Sequence, residues 1–420
     1  MRRHSIREWR WTLLSFAIAL AATAGLYQTR GWIWLGVPPL GAERVPFSDA
    51  AAQLTAADVC ANGHGQRLAR VCFVPSLESP THSQTYEPWI TFQRLGLTGA
   101  KYIPISVAMI VFFYLAFCLA FRPASGGEAA LLLLFLFSAA VQLAVERANF
   151  DLLTSAMLCL AARLLNDRRR GWAIAGCLAL GVDTSLKIYT GLSSICAWIA
   201  RRDLRASFAV LAVLVTVAAV AVVGLDSVLV LGHGAPEGQT RFSTGAHWLW
   251  RQRGFAWMAG AASCALVAGL VAWRALRGNA PLDSVFARHP QRSALFKIAF
   301  LTAVPLFLLK DSYDYRFVLW LPCLALPIAL LRDPLLAPAW RRFCVTLLSL
   351  SAIVFCAELL CVLLDRVAQH TVATWPDRLI EGAIMLKQFS VWVVAALLSA
   401  LFALSIADRR DRFASTAPRS

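Results

Sequence analysis

The residues best suited to chemistry form a short polar segment between two long apolar runs. Its side chains include those of Glu146, Arg147, Asn149 and Asp151. An Arg or Asp at the centre of a membrane helix costs roughly 2.5–3.5 kcal/mol on insertion scales, so such residues usually face a polar cavity or the membrane surface. The segment therefore predicts a polar site at a membrane boundary.

Three other polar clusters are expected on the same side of the membrane. One contains Asp49 and Asp58 in the loop after the first apolar run, and the others are the segments 183–189 and 310–316. Four elements that are far apart in sequence would thus bring carboxylates, amides and cations to one depth. Arg and Lys neutralise phosphate groups, and a carboxylate within hydrogen-bond reach of a hydroxyl acts as a general base. Such a set suits transfer from a lipid-linked phosphorylated donor.

Each residue type indicates a role in that chemistry. Asp49 is the candidate base, with Asp58, Asp311 and Asp314 as possible substitutes. The alternative for Asp49 is a helix cap, because Ser and Asp often cap helices and a run of Ala follows this pair. The candidates for phosphate binding are Arg147, Lys187 and Arg316, and those for hydrogen bonds to sugar hydroxyls are Asn149, Tyr189 and Tyr313.

Structural explanations compete with each of these assignments. Arg147 could form an ion pair with Glu146 or Asp151 that serves only a helix end, because buried ionisable groups need partners whatever their role. Lys187 could extend its side chain to the lipid headgroups. The residues 313–316 could belong to an interfacial aromatic belt with a charged rim.

Composition indicates an all-α polytopic membrane protein with about 12 transmembrane segments. Hydrophobic residues make up 59% of the 420-residue chain and charged residues only 15%. A bilayer core of ~30 Å needs about 20 residues per helix, so the short fifth and sixth spans suggest a broken or re-entrant pair that meets near Lys187. The predicted spans are 11–28, 103–121, 129–145, 150–165, 172–186, 188–200, 206–231, 255–273, 294–309, 317–331, 343–364 and 389–406.

The distribution of Lys and Arg predicts the orientation. Seven short segments together contain 23 basic and 8 acidic residues, which by the positive-inside rule makes them cytoplasmic. Both termini then lie in the cytoplasm, the first span is expected to remain uncleaved, and residues 1–420 form one membrane domain with a long extracytoplasmic loop at 29–101. The basic balance thus reflects topology and gives no reason to expect a nucleic-acid partner. The seven segments are 1–10, 122–128, 163–170, 201–205, 274–293, 332–342 and 407–420.

The outer loop contains Cys60 and Cys72, which form a disulfide if that compartment is oxidising or otherwise remain as two thiols. His64 and His82 lie in the same loop without a second ligand at metal spacing, so no metal site is expected. No Gly-rich phosphate loop follows a strand, and no cofactor is expected.

Several segments resemble those of the GT-C superfamily of membrane glycosyltransferases, and most closely the polyprenol-phosphate-sugar-dependent branch, glycosyltransferase family 87. The segments are Arg-Ala-Asn-Phe-Asp-Leu-Leu at 147–153, Leu-Lys-Ile-Tyr at 186–189, Tyr-Asp-Tyr-Arg at 313–316 and, more weakly, Tyr-Glu-Pro-Trp at 86–89. The carboxylate that the family carries in its first outer loop corresponds to Asp49.

This resemblance implies a hexosyltransferase that moves a sugar, mannose as the first expectation, from polyprenyl phosphate to a glycan or glycolipid acceptor with inversion at the donor carbon. The site would face outward from the inner cell membrane, and Asp151 and Asp314 would help to shape its pocket. Two other functions remain open from the residues alone. One is a transporter or flippase for lipid-linked envelope glycans, and the other is a non-catalytic scaffold.

Overall fold

The structure, a computed structural model, confirms the all-α polytopic class, because apolar helices form most of it. Short strands occur only as additions to this helical frame within the described part of the chain. The residues that the structure describes are 6–29, 31–32, 47–64, 66–68, 71–74, 83–166, 170–187, 190–193, 215, 217–218, 243–244, 249, 253–278, 282–309, 312–369 and 375–416.

The helices are numbered in chain order among the described residues. They are α1 (Ile6–Thr29), α2 (Ser48–Ala61), α3 (Glu87–Arg94), α4 (Tyr102–Phe121), α5 (Gly126–Leu136), α6 (Ala139–Glu146), α7 (Asp151–Leu165), α8 (Arg170–Leu186), α9 (Phe255–Arg277), α10 (Leu282–Arg288), α11 (Pro290–Leu309), α12 (Ala325–Leu331), α13 (Pro338–Gln369) and α14 (Trp375–Thr416). The 3₁₀ turns are Gly99–Lys101, Asp314–Leu319 and Leu321–Leu324, and the strands are β1 (Gln66–Leu68), β2 (Val71–Val74), β3 (Ser83–Tyr86), β4 (Ser243–Thr244) and β5 (Ser312–Tyr313).

Six of the described helices are long and apolar enough to cross a membrane, namely α1, α4, α9, α11, α13 and α14. The helices α5 and α6 meet at 61° and together form a seventh candidate, a broken span in place of the continuous predicted span 129–145. The predicted spans 150–165, 172–186 and 317–331 correspond to α7, to α8, and to the 3₁₀ turns with α12. The predicted spans 188–200 and 206–231 lie mostly outside the described residues.

The segment between the predicted spans 343–364 and 389–406 is mostly helical. The helix α13 continues to Gln369 and α14 begins at Trp375, so residues 370–374 are all that separates the two. At 1.5 Å per residue, the 42 residues of α14 extend about 63 Å, roughly twice the thickness of a bilayer core. Both helices thus extend beyond the predicted spans 343–364 and 389–406, because polar residues need not end a helix at the membrane surface.

The core centres on α4, whose apolar residues pack on several sides. Phe113, Phe117 and Phe121 follow one another at four-residue spacing, lie on one face and are fully buried. The hydroxyl of Tyr114 lies 2.9 Å from Oγ1 of Thr23 in α1 and accepts a hydrogen bond from Nε2 of Gln142 in α6. These contacts fix α6, which leads into the candidate site, against the centre of the bundle.

The segment 29–101, predicted to be the outer loop, contains a small folded unit among its described residues. The strands β1, β2 and β3 form an antiparallel sheet, and α2 and α3 pack beside it. Cys60 at the end of α2 and Cys72 in β2 form a disulfide with their Cα atoms 6.1 Å apart. Both cysteines are buried with Ile90 of α3. Of the two states that the sequence allows for these cysteines, the structure has the disulfide.

A second polar contact lies within the spans, between α13 and α14. Nζ of Lys387 donates a 2.6 Å hydrogen bond to Oε1 of Glu358, and both side chains are buried. Lys387 lies outside the predicted span 389–406, because α14 begins earlier than that span.

The disulfide generates a stability prediction. Replacing both cysteines (Cys60→Ser with Cys72→Ser) opens a loop with a sequence separation of 12 residues. A disulfide that closes a loop of about this size stabilises the folded state by ~3 kcal/mol. An added protease should therefore cleave the folded unit that contains β1, β2 and β3 faster in the double variant than in the parent. Cys264→Ser, at an exposed free cysteine, should leave the cleavage rate unchanged. Equal rates for the double variant and the parent would contradict the stabilising role.

The topology prediction can be tested with two exposed positions. A membrane-impermeant maleimide added to intact cells should label Asn62→Cys in the outer loop, whereas Gly278→Cys, at the end of α9, should react only after the membrane is opened. Labelling of the second variant in intact cells would reverse the assignment of faces.

Candidate functional site

Asp49 connects the outer loop to the polar segment between α6 and α7. Its Oδ1 lies 2.9 Å from Nε of Arg147, and its Oδ2 accepts a 2.6 Å hydrogen bond from Nδ2 of Asn149. The backbone N–H of Asp49 also donates to the carbonyl oxygen of Arg147 at 3.1 Å. These three contacts fix the first turn of α2 against the turn between α6 and α7.

The turn between α6 and α7 has an unusual backbone that allows these contacts. Ala148 has a φ of +46°, in the left-handed region that L residues with a Cβ rarely adopt. The next residue, Asn149, accepts a 2.8 Å hydrogen bond at Oδ1 from the backbone N–H of Asp151. The Asn149 amide therefore binds Asp49 through its nitrogen and the start of α7 through its oxygen. One side chain relates the positions of the two carboxylates.

Asp151, which is connected to Asp49 through Asn149, brings together two cations. Its side chain is 1% exposed, with Nζ of Lys187 3.4 Å from Oδ1 and Nε of Arg316 3.7 Å from Oδ2. A carboxylate buried to this degree is strongly destabilising unless opposite charges compensate it. The two cations therefore balance Asp151, and Asp151 in turn determines where they lie.

Separate elements deliver those two cations. Lys187 follows α8 directly, and its backbone N–H continues the helical pattern by donating to the carbonyl oxygen of Asp183 at 2.8 Å. Arg316 lies in the 3₁₀ turn after β5, where Oγ of Ser155 in α7 donates a 3.0 Å hydrogen bond to the carbonyl oxygen of Val318. The ends of α7 and α8 and the 3₁₀ turn thus converge.

The ion-paired set combines three cations with two carboxylates. The side chains of Arg147 and Lys187 are each 27% exposed and that of Arg316 is 18% exposed, whereas Asp151 is almost fully buried. With all five groups ionised, the set carries one excess positive charge. The cations are accessible, so the set is suited to binding an anion from solvent.

Aromatic side chains fix the surroundings of Asp49. Trp89 of α3 is 4% exposed and packs edge-on against Phe150, with the ring centroids 4.2 Å apart. Phe47, directly before α2, stacks on Tyr27 of α1 at 5.4 Å. The weakly matching segment 86–89 thus contributes at least Trp89 to the packing around the 147–151 turn.

The contacts decide among the alternatives left by the sequence. The N-cap of α2 is Phe47 and no side chain caps this end, so the helix-cap explanation for Asp49 is wrong. Arg147 forms an ion pair with a carboxylate on another element, so it does more than serve its own helix end. Lys187 contacts Asp151, which argues against an extension to the headgroups.

Asp58, a possible substitute for Asp49 as base, makes its described hydrogen bond outside the ion-paired residues. Its Oδ2 accepts a 2.7 Å hydrogen bond from the backbone N–H of Gly99, at the start of the 3₁₀ turn that precedes α4. A Cβ at Gly99 would come within 2.9 Å of this oxygen, so the close approach requires glycine. Asp58 therefore joins α2 to the beginning of a transmembrane helix.

Four other predicted site residues are described only in part or not at all. Tyr189 and Asp311 lie outside the described residues. The backbones of Tyr313 and Asp314 are described, the first pairing with Ser243 in the β4–β5 ladder and the second beginning the 3₁₀ turn that contains Arg316. The roles of these side chains stay predictions.

One residue near the site was given no role from the sequence. Asp183 is fully buried, lies beside Thr154 and Thr190, and interacts electrostatically with Asp151 and Lys187. The sequence could have indicated this residue, because Asp183 lies four residues before Lys187 and residues at that spacing share one helix face. A third carboxylate thus adjoins the ion-paired set.

Metal binding was not expected from the sequence. Within the described ranges, His, Cys, Asp and Glu side chains form no group of three or more with the arrangement of metal ligands. The expectation stays a prediction because part of the outer loop, including His82, is not described.

Comparisons with known proteins give two similar structures. The crystal structure of ArnT from Cupriavidus metallidurans bound to undecaprenyl phosphate is 16% identical, with a TM-score of 0.37, and the match covers 97% of this chain and 79% of that one. The apo structure of the same protein is 13% identical, with a TM-score of 0.37 and coverages of 94% and 77%. No protein-family model matches the sequence, and no curated protein matches it.

Proposed function

We propose that the protein is a GT-C-type glycosyltransferase that moves a sugar from a polyprenyl-phosphate donor to a glycan or glycolipid acceptor on the extracytoplasmic face. The observation that carries this proposal is a set of linked ion pairs, in which Asp49 pairs with Arg147 and buried Asp151 pairs with Lys187 and Arg316, and all three cations are partly exposed. A base next to an anion-binding set is what transfer from a phosphorylated donor requires.

The donor phosphate would bind at the three cations. A sugar joined to a polyprenyl phosphate is a phosphodiester with one negative charge, which the partly exposed guanidinium and ammonium groups can bind. Lys187 and Arg316 retain Asp151 as their counter-ion, and their exposed atoms face the phosphate. As the leaving phosphate gains charge in the transition state, the same cations stabilise it more strongly than they stabilise the intact donor.

Asp49 would accept the proton of the attacking hydroxyl. The acceptor oxygen forms a bond to the anomeric carbon, the bond from that carbon to the phosphate oxygen breaks with its electron pair remaining on the phosphate, and the proton moves to Asp49. Attack opposite to the leaving phosphate inverts the configuration at the sugar carbon. Lys187 and Arg316 pair with Asp151, whereas Asp49 pairs with Arg147 and accepts a hydrogen bond from Asn149.

The sugar pocket is assigned by combining the contacts with the resemblance to glycosyltransferase family 87. We propose that Asn149 and Asp151 shape it from below and that Tyr189, Tyr313 and Asp314 contribute hydrogen bonds to sugar hydroxyls. A hexose is expected, mannose first.

The disulfide supports an outward-facing site in the inner cell membrane. Disulfides persist in oxidising compartments and are rare in the cytosol. Cys60 and Asp49 belong to the same helix, α2, so the base would share the compartment of the disulfide. The count of Lys and Arg assigns the same loop to the same side without reference to the cysteines.

One observation favours a transporter or flippase for lipid-linked glycans as the second candidate. The buried pair of Glu358 and Lys387 lies within spans, and ionisable groups at such positions often mark a substrate path. Movement of a fluorescent polyprenyl-phosphate sugar across vesicles without acceptor would support it. Sugar transfer without such movement would support the enzyme.

Asp49→Asn tests the base. Asn retains the size of the side chain but cannot accept the proton, so transfer should fall by roughly 10² to 10⁴. The matched control is Asp58→Asn, at the other carboxylate of α2, which should retain transfer because Asn can still accept from Gly99. Turnover is measured with purified protein in bilayers, a synthetic polyprenyl-phosphate sugar and a panel of acceptors. Unchanged transfer by the Asp49→Asn variant would exclude Asp49 as the base.

Arg147→Ala and Lys187→Ala test the phosphate site. Each removes a charge-assisted contact of about 1.5–3 kcal/mol, so apparent donor affinity should fall by roughly ten- to a hundredfold. Lys187→Arg should rescue only in part, because a planar fork does not replace a point charge. Arg253→Ala and Lys101→Ala remove cations outside the site, at a pair with Glu381 and at the carbonyl oxygen of Gly96, and should bind donor as the parent does.

A further inference from the structure

Both carboxylate oxygens of the candidate base are occupied in the structure. Oδ1 of Asp49 lies against Nε of Arg147, and Oδ2 accepts from Nδ2 of Asn149. A base needs an oxygen directed at the hydroxyl whose proton it removes. One of these two contacts therefore has to give way before the proton can be transferred.

The two contacts differ in how readily they can be released. The Arg147 contact is an ion pair between two side chains that are 27% and 20% exposed, so it is the more exposed of the two contacts although the Nε atom itself is buried. The Asn149 amide is 6% exposed and also accepts from the backbone N–H of Asp151, so its movement would disturb the start of α7. Of these two partners, Arg147 is therefore the one whose movement disturbs the backbone less.

Arg147 also differs from the other two cations in what its departure leaves behind. If Lys187 or Arg316 moved away, Asp151 would remain as a buried carboxylate with less compensation, which is strongly unfavourable. When Arg147 moves away, Asp49 keeps its bond from Asn149 and its partial contact with water. The group that would attract Arg147 is a phosphate, whose oxygens bind a guanidinium fork in a bidentate manner.

We propose that Arg147 masks Asp49 in the ligand-free protein and exchanges it for the donor phosphate, so that donor binding exposes the base. This inference rests on the proposed function, and it adds an order to it: the lipid phosphate binds first and the acceptor hydroxyl second. Before the donor binds, Oδ1 of Asp49 faces a cation, which keeps a hydroxyl or a water molecule from being activated. Asp49 becomes available to accept a proton only when a donor, whose phosphate is the leaving group, is bound.

Chemical labelling of Asp49 measures the mask directly. Detergent-solubilised full-length protein is treated with a water-soluble carbodiimide and glycine ethyl ester, with and without undecaprenyl phosphate, and the labelling rates of Asp49 and Asp58 are read by peptide mass spectrometry. Undecaprenyl phosphate should raise the Asp49 rate relative to Asp58 by roughly two- to fivefold, the factor that corresponds to loss of a partly exposed ion pair. Asp58 is the internal reference, because its contact with Gly99 does not involve the site.

Variants of Arg147 identify the masking group. Arg147→Gln removes the charge, so Asp49 should react without ligand as fast as it does in the liganded parent, and ligand should add nothing. Arg147→Lys keeps a charge on a different stem and should give an intermediate rate, which provides a second reading if the Gln variant folds poorly.

Separate measurement of binding, from the melting shift caused by undecaprenyl phosphate, distinguishes the possible failures. Binding with an unchanged or lower Asp49 rate would overturn the exchange and leave the proposed function standing. Slow labelling of Arg147→Gln in the absence of ligand would also overturn it. No binding to the parent would contradict both proposals.

Discussion

Burial of the Asp151 carboxylate is the constraint on which the arrangement of the site depends. A carboxylate removed from water needs opposite charge nearby, and here that charge comes from Lys187 after α8 and Arg316 in a 3₁₀ turn. The amide of Asn149 then relates this buried centre to Asp49 on the outer loop. Burial of the Asp151 carboxylate, which is unfavourable by itself, thus determines how four segments that are far apart in sequence meet.

The sequence was sufficient to predict which residues meet but not how they pair. Charged residues between apolar runs have few places to lie, so the grouping of Arg147, Lys187, Arg316 and Asp49 followed from depth alone. Depth does not specify partners. The pairing of Asp49 with Arg147, and of Asp151 with the other two cations, depends on the path of the outer loop and on the backbone of the 147–150 turn, which hydropathy does not encode.

The course of the helices was predictable only where a span is long and uniformly apolar. The helices α4 and α13 contain the spans predicted for them, whereas the predicted span 129–145 is bent by 61° between α5 and α6. The apolar character of a segment indicates contact with lipid or core. It does not depend on the direction of the helix axis, so hydropathy cannot reveal a bend. Apolar character also does not report where a helix ends. The helix α14 therefore extends beyond the predicted apolar span, and Lys387 lies in the part that was not predicted.

The left-handed conformation of two residues beside the site has a consequence for protein engineering. Phe47 has a φ of +59° and Ala148 a φ of +46°, and such conformations cost an L residue about 1–2 kcal/mol each. They directly precede the segments that contain Asp49 and Asn149, so stability is lost where the contacts of the site are made. The substitution Ala148→Gly would therefore act on stability in two ways. It would relieve backbone strain in the folded state, and it would increase the conformational entropy of the unfolded chain. The first effect raises the free energy of unfolding and the second lowers it. Consensus or cavity-filling design would overlook position 148, where folding stability is coupled directly to the contacts of the site.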